Sequence, residues 1–226
     1  MISVVIPAYN EEKTIVDVVS RTHAVMEMVR LPYEILVVDD GSTDHTRDLV
    51  PSSMAQLLTN GRNQGKGSAL RRGFRQATGE IIVTIDSDGS HDPEDIRRLL
   101  TPVLNGTDVV MGSRFVNGNG KKSTRKLNIF GNRLINLLIR FFTGKRITDS
   151  QTGLRAFKKK IIDRVTLTSK GYQVETELTV KSLRNGNKVK EISIDSVKRK
   201  NGASHLTPLY DGVRIFRTII QSTINA

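Results

Sequence analysis

The sequence predicts an α/β fold in which a mostly parallel sheet is flanked by helices. Two observations lead to it. Over residues 1–115, apolar runs of strand length alternate with segments of helical period, and such alternation calls for crossovers between parallel strands. Three of the apolar runs also stop at marked groups, Pro7 to Tyr9, Asp39–Asp40 and Asp86–Asp88. Open parallel sheets bind their ligands at such carboxyl ends.

The elements follow in order. "ISVVIPAY" is almost continuously apolar, as a strand buried on both faces should be. "EEKTIVDVVSRTHAVMEMV" carries Ile15, Val18, Val19, Val25 and Met26 at helical spacing. "YEILVVDD" is a second strand, and "KGSALRRGFRQA" is a helix leading to the strand "EIIVTID". The helix "PEDIRRLLTPVL" then leads to the strand "DVVMGSR". After Arg114 the character changes. A Gly-, Asn- and Lys-rich loop, "NGNGKKSTRK", precedes "LNIFGNRLINLLIRFFTGKR", which is apolar and basic at once. The C-terminal "LYDGVRIFRTIIQSTI" reads as an amphipathic helix. No linker or repeat interrupts the chain, so residues 1–226 are expected to form one domain with halves 1–115 and 116–226.

Composition narrows the class. Lys and Arg number 35 against 23 Asp and Glu, a formal charge of +12. A surface of that sign favours polyanions: nucleic acid, anionic lipid headgroups or phosphorylated substrates. A nucleic-acid-binding protein is the weaker reading, because there is no Trp, only four Tyr and no interleaved basic–aromatic strand motif. Cysteine is absent, which excludes disulfides and thiolate metal sites and suits a cytoplasmic protein. There is no apolar run long enough to span a bilayer, and "MISVVIPAYN" reads as a strand rather than a signal peptide.

Five carboxylates crowd the stretch "TIDSDGSHDPED". Asp92 before Pro93 has the form of a helix N-cap, and Glu94 and Asp95 fall in the first turn, where the helix dipole favours negative charge. Asp86 and Asp88 lie ahead of any cap, at a strand end. Such a pair suits a hard divalent cation that also takes substrate phosphates. Asp39–Asp40 before Gly41 is open to two readings, an Asx-turn or a pair accepting hydrogen bonds from a base or ribose. "GRNQGKGSALRRG" lacks P-loop spacing, since Gly61 and Gly65 enclose only three residues. It reads as a Gly-rich loop into a helix, with Lys66 near the substrate.

"VVIPAYNEE", "VVDDGSTD", "NQGKGSALRRG", "DSDGSHDPED" and "GSRF", in this order, resemble the family 2 glycosyltransferases of the GT-A fold. "RKLNIFGN", "DSQTGLRAF", "SKGYQVETELTVKS" and "VKRKNGASHL" are similar to the dolichyl-phosphate mannose synthase branch and its polyprenyl-phosphate glycosyltransferase relatives. The resemblance implies a nucleotide-sugar site made by Pro7, Tyr9, Glu11, Asp39, Asp40, Lys66, Ser87, Asp88 and Arg199, with Asp86 and Asp88 holding Mg²⁺ or Mn²⁺. It implies Asp88, Arg114, Arg125 and Arg199 as catalytic residues. Arg114 and Arg125 would face acceptor phosphate, and Arg199 the donor diphosphate. It further implies an inverting transfer of a hexose or N-acetylhexosamine to dolichyl or polyprenyl phosphate, at the cytoplasmic face of a membrane. Ser90 stands where mannose synthases have Gln, and His205 where they usually have Lys, so a UDP-sugar donor is favoured over GDP-mannose.

A related enzyme acting on a glycan hydroxyl would need a base, for which Asp149 and Glu175 are the candidates. A polyprenyl phosphate must meet the protein at a membrane. The segment with Leu127, Phe130, Leu134, Leu138, Phe141 and Phe142 on one face, and Arg125, Lys126, Arg133, Arg140, Lys145 and Arg146 for charge, is the expected contact. Phe216 and Ile220 of the last helix are expected to lie exposed beside it.

Overall fold

The computed structural model describes residues 1–116, 126–195 and 208–224, with 126–128 and 208–211 described by backbone alone. The sheet has seven strands: β1 Ile2–Ala8, β2 Tyr33–Asp39, β3 Gln56–Thr59, β4 Ile81–Thr84, β5 Val109–Ser113, β6 Arg155–Lys158 and β7 Val189–Ser193. Their spatial order is β3-β2-β1-β4-β6-β5-β7. Every pairing is parallel except those of β6, which runs antiparallel between β4 and β5. The helices are α1 Ile15–Val29, α2 Lys66–Gln76, α3 Asp95–Leu104, α4 Lys126–Thr143, α5 Lys159–Arg164, α6 Val174–Arg184 and α7 Pro208–Ile224. The expected mixed α/β architecture with a mostly parallel sheet is what the chain adopts.

The sheet separates two apolar layers. Ile15, Val18, Val19 and Met26 of α1, with Ile96, Leu99, Leu100 and Val103 of α3, cover one face. Leu70 and Phe74 of α2, Val174 and Leu178 of α6, Ile139 of α4 and Ile215 and Ile219 of α7 cover the other. All seven residues of β1 are buried, which is why its sequence shows no alternation.

Two sequence expectations are corrected. Asp92 does not cap α3 directly, because the helix begins at Asp95. Backbone bonds from Asp95 N to Asp92 O and from Ile96 N to Pro93 O insert a tight turn first. The Asp92 carboxylate accepts the Glu94 N–H (3.0 Å) within that turn and also pairs with Arg21 (2.6 Å).

The outer stripe of α4 also differs from the expected one. Phe130, Leu134, Leu137 and Phe141 are 68, 51, 60 and 80 % exposed. Leu138 and Phe142 instead pack against the core beside α6 and α7. One residue is about 100° of helix, so Leu138 turns inward while Leu137 takes its place in a narrower stripe with Phe130, Leu134 and Phe141, which lie exposed as expected. Leu127 has no described side chain. On α7, Phe216 is exposed as expected, Ile220 is half-buried, and Val213 and Ile224 add to the open face.

Helix α2 lies close against β1 because Gly73 faces Val5. A Cβ at Gly73 would come within 2.3 Å of Val5 Cγ1. Ala in a helix interior ordinarily gains about 1 kcal/mol over Gly, whereas overpacking costs about 1–3 kcal/mol. The clash should win. Gly73→Ala is expected to lower Tm by several degrees in a calorimetric scan, and adding Val5→Ala should restore part of it. A Tm equal to or above wild type for the single variant would contradict this packing.

Candidate active site

The site forms where β1, β2 and β4 end side by side. Beyond β1, the turn at Asn10 (φ 56°) is laced to the loop after β2. Asn10 N donates to Ser42 Oγ (3.0 Å), Thr43 N to Asn10 Oδ1 (2.8 Å), and Glu11 N to Thr46 Oγ1 (2.7 Å). Ser87 Oγ donates to the Pro7 carbonyl (2.8 Å), joining the ends of β1 and β4. Pro7, Tyr9, Glu11, Asp39, Asp40, Lys66, Asp86, Ser87 and Asp88 therefore gather at one end of the sheet.

Asp39 and Asp40 are both buried, and both have structural partners. Asp39 Oδ1 accepts the Ser42 N–H (3.1 Å), bending the chain through Gly41 (φ 77°). Asp40 accepts Asn60 Nδ2 (2.6 Å), Gln64 N (3.1 Å) and Gly65 N (2.6 Å), so it fastens the Gly-rich loop to the end of β2. Burial raises the Asp40 carboxyl above the usual carboxylate range, against the pull of those bonds.

The first N–H groups of α2 are not offered to a phosphate. Gly67 N donates to the Lys170 carbonyl (2.7 Å), and a Cβ at Gly67 would collide with Ser169 O. This confirms that the loop is no P-loop. The docking fixes Lys66 instead. Its Nζ lies 2.5 Å from Asp86 Oδ1 and 2.5 Å from Glu175 Oε1, with 15 % of its side chain exposed. Burial works against the Lys66 charge, yet Asp86 and Glu175 overcome it and hold its pKa above the ordinary value. The same pair keeps Asp86 ionised. Burial would raise its carboxyl, but Lys66 and then His91 hold it below the usual range.

Sequence reasoning missed His91. It is buried, with Nε2 3.8 Å from Asp86 Oδ2 and Nδ1 without a hydrogen-bond partner among the described residues. Burial lowers its pKa while Asp86 pulls the other way. Sequence reasoning also missed Gly153, which packs directly on Asp86. A Cβ there would lie 2.3–2.5 Å from the carboxylate atoms. The antiparallel β6 brings it there, since Arg155 pairs with Thr84 and the Gly153 carbonyl accepts Thr84 Oγ1 (2.8 Å).

Asp86 and Asp88 supply hard oxygen donors one residue apart, and Asp86 keeps 23 % of its side chain exposed. Two carboxylates can hold Mg²⁺ or Mn²⁺ when the remaining oxygens come from substrate phosphates and water. The Lys66 ammonium already sits against Asp86, so the position accepts a cation.

On the other side stands Arg114, just past β5. Its Nε and Nη2 grip Asp149 at 2.7 and 2.9 Å, and its ring neighbour is Phe115 at 5.5 Å. Asp149 is fully buried and also accepts Asn132 Nδ2 (3.3 Å). Burial opposes the Arg114 charge, but Asp149, then Asp86 and Asp88, raise its pKa. Arg114 thus lies within electrostatic reach of the acidic pair. Arg125, Arg199 and His205 lie outside the described residues.

Residues 3–166 match the family model "Glycosyl transferase family 2". The chain belongs to that family. It is a glycosyltransferase, and the expected GT-A fold is shared by its structural neighbours. The polyprenol monophosphomannose synthase of Mycolicibacterium smegmatis is 32 % identical over 221 residues, covering 90 % of this chain and 80 % of that one. The undecaprenyl-phosphate 4-deoxy-4-formamido-L-arabinose transferase of Serratia proteamaculans is 37 % identical over 168 residues, covering 72 % of this glycosyltransferase but only 50 % of that relative. Glucosyl-3-phosphoglycerate synthase of Mycobacterium tuberculosis, solved with Mn²⁺, UDP-glucose and phosphoglyceric acid, superposes with a TM-score of 0.78 at 22 % identity, over 99 % of this chain and 79 % of that one.

Gly153→Ala tests the packing behind Asp86. The methyl group must displace the carboxylate, so transfer activity should fall at least about tenfold, which corresponds to roughly 1.4 kcal/mol of barrier. Mn²⁺ affinity measured by electron paramagnetic resonance should weaken in parallel. Unchanged Mn²⁺ binding would show that the carboxylate is not held by this contact.

Proposed function

We propose that this glycosyltransferase moves a hexose or N-acetylhexosamine from a nucleotide-sugar to a polyprenyl (dolichyl) phosphate, with inversion at the anomeric carbon. The observation that carries the reading is the pairing of an acidic strand end, Asp86–Asp88, with cations on both sides, while the two candidate bases, Asp149 and Glu175, are both buried and ion-paired. Glu175 is only 5 % exposed and faces Lys66, and Asp149 is sealed beneath Arg114. A hydroxyl nucleophile would need one of them to take its proton. A phosphate monoester is already ionised near pH 7 and needs positioning instead. The names of the relatives with polyprenol and undecaprenyl-phosphate substrates support the same acceptor.

In this reading, Pro7, Tyr9, Glu11 and Asp39 line the nucleotide pocket, with Asp40 shaping its loop. Asp86 and Asp88 hold Mg²⁺ or Mn²⁺ against the donor diphosphate. When bound, the metal neutralises charge that develops on the departing diphosphate. Arg114 commits two nitrogens to Asp149, which fixes its plane and leaves Nη1 for the acceptor phosphate. A phosphate oxygen attacks the anomeric carbon in line, the bond from that carbon to the diphosphate oxygen breaks, and the nucleoside diphosphate leaves with the electron pair. Arg125 and Arg199 lie outside the described residues and stay expected phosphate contacts on the resemblance alone. A UDP-sugar is the favoured donor: Ser90, whose N–H donates to Asp88 Oδ1 (3.0 Å), has no side-chain amide to offer where mannose synthases have Gln.

A lipid-linked acceptor calls for contact with a membrane, and in this reading that contact is at the cytoplasmic face. No helix among the described residues is long and apolar enough to cross one. The exposed stripe of α4, with Val213, Phe216 and Ile224 of α7, provides apolar surface for peripheral contact.

Asp88→Asn should reduce transfer more than tenfold, since a lost metal contact removes several kcal/mol of stabilisation, while the melting curve stays near wild type. The control Asp92→Ala should cost about 1 kcal/mol of stability as a lost turn cap and keep its activity. EDTA should stop turnover, and added Mn²⁺ or Mg²⁺ should restore it. Retention of more than about a tenth of the wild-type rate by Asp88→Asn, on the scale of one decade per 1.4 kcal/mol, would refute its role.

A panel of UDP- and GDP-sugars, assayed with one short-chain polyprenyl phosphate, tests the donor. UDP-glucose or UDP-N-acetylglucosamine should be turned over faster than GDP-mannose. The reverse order would assign GDP-mannose. Transfer to free glycans but not to the lipid phosphate would sink the acceptor assignment.

A further inference from the structure

The fold gathers three of the arginines of α4 and its following loop into one place. Arg133, Arg140 and Arg146 line a cleft of about 460 Å³ that also takes in Leu137 and Ile147 and reaches Phe115 and Asn132 beside the Arg114–Asp149 pair. All three arginines are exposed, and none has an acidic ion-pair partner among the described residues. No acidic residue lines the cleft. Arg133 and Arg140 stand about 10 Å apart along the helix axis, two turns on the same side. Leu137 lies between them, and it belongs both to the cleft and to the exposed apolar stripe.

We propose that this cleft binds the headgroup phosphate of an anionic membrane phospholipid, at a site separate from the acceptor site. The proposal rests on the membrane-facing part of the reading above and gives that contact an address. Charge complementarity argues for the occupant. Guanidinium groups without acidic partners, set around one concave space, match a phosphodiester and its neighbouring oxygens. Position argues for a lipid rather than a soluble anion. The stripe of Phe130, Leu134, Leu137 and Phe141 runs along the same helix, where acyl chains would lie once the headgroup is seated. In the reading above the acceptor's single phosphate lies beside Asp86 and Asp88 at Arg114, which does not line the cleft, although its neighbours Phe115 and Asn132 do. A seated phospholipid would hold α4 at a fixed depth, and with it Asn132 and Asn136, which donate to the Thr148 carbonyl (3.2 and 2.7 Å) next to the Arg114–Asp149 pair.

The test is sedimentation with phosphatidylcholine vesicles, with and without phosphatidylglycerol. Arg133→Gln/Arg140→Gln is compared with Lys160→Gln/Arg164→Gln, which removes equal charge from the distant α5. Wild type and the α5 variant should bind the phosphatidylglycerol vesicles. The α4 variant should bind them about tenfold or more weakly, given the contribution of each basic residue at a lipid surface. Gln is close to Arg in helix propensity, and a melting curve checks that the fold is kept. As a second measurement, Leu137→Cys carrying an environment-sensitive fluorophore should shift to the blue with phosphatidylglycerol vesicles, and inorganic phosphate should not reproduce the shift. Transfer to a short-chain polyprenyl phosphate in detergent should be unchanged in the α4 variant. Equal weakening in both charge variants would show diffuse attraction and overturn the site. So would vesicle binding that requires polyprenyl phosphate rather than phosphatidylglycerol, or a fluorophore response to inorganic phosphate alone. Failure of wild type to transfer sugar to any lipid phosphate would refute the proposed function and leave the vesicle result to be judged by itself.

Discussion

A carboxylate at the end of a central strand must stay ionised where little water reaches it. Asp86 meets that constraint with a shared cation, Lys66, which it divides with the buried Glu175. Much of the fold follows from keeping these groups in register. Helix α2 must start where its first side chain reaches β4, so Gly65 and Gly67 let it press against the 169–171 segment. Arg71 strengthens that seam by donating to the Ser169 carbonyl. Helix α6 must present Glu175 from below. Beneath both, Arg155 is buried and donates to the Thr152 and Ser150 carbonyls and to Thr179 Oγ1, a cation among carboxylates whose own pKa is depressed by burial. Removing any one member would strand a buried charge, which is far more damaging than replacing the group as a whole.

The Arg114–Asp149 pair repeats the principle just past β5 with a different outcome. Glu191 accepts the N–H groups of Thr148 and Asp149 (2.8 Å each at the shorter contacts), so the loop that carries Asp149 is pinned before Arg114 is. The carboxylate then spends both oxygens on the guanidinium. Chemistry that needs a free base is excluded from this position by structure, and chemistry that needs an oriented cation is favoured. Lys66 against Asp86, and Arg114 within electrostatic reach of Asp86 and Asp88, set fixed cations around the acidic pair.

Much of this was legible in the sequence. Strand-length apolar runs marked β1, β2 and β4, and those of β2 and β4 ended in acidic pairs, which placed Asp86 and Asp88 at a carboxyl end. The rest was hidden for physical reasons. Strand β6 spans four residues and includes the buried Arg155, whose charge is satisfied by the Thr152 and Ser150 carbonyls and by Thr179 Oγ1, so "RAFK" has no strand signature. The Lys66–Asp86–Glu175 contact joins three elements far apart in the chain, and no local spacing encodes it. His91 was masked by the cap-like pattern that follows it. The exposed face of α4 was read correctly at Phe130, Leu134 and Phe141 but took Leu138 for Leu137, because the two are chemically identical and only packing against α6 and α7 decides which turns inward.

The antiparallel insertion of β6 also bears on how the chain is born. Strand β4 is an interior strand only because β6 lies beside it, with Ile81 opposite Lys158 and Thr84 opposite Arg155. Until that later segment leaves the ribosome, β4 is an open edge, apolar on both faces, and α2 lacks the carbonyl of Lys170 that closes its first turn. Such an edge is a template for pairing with another chain. The nascent protein therefore carries a sticky half-sheet through much of its synthesis. A prematurely terminated copy ending before residue 155 would be prone to aggregate rather than persist as a smaller folded unit.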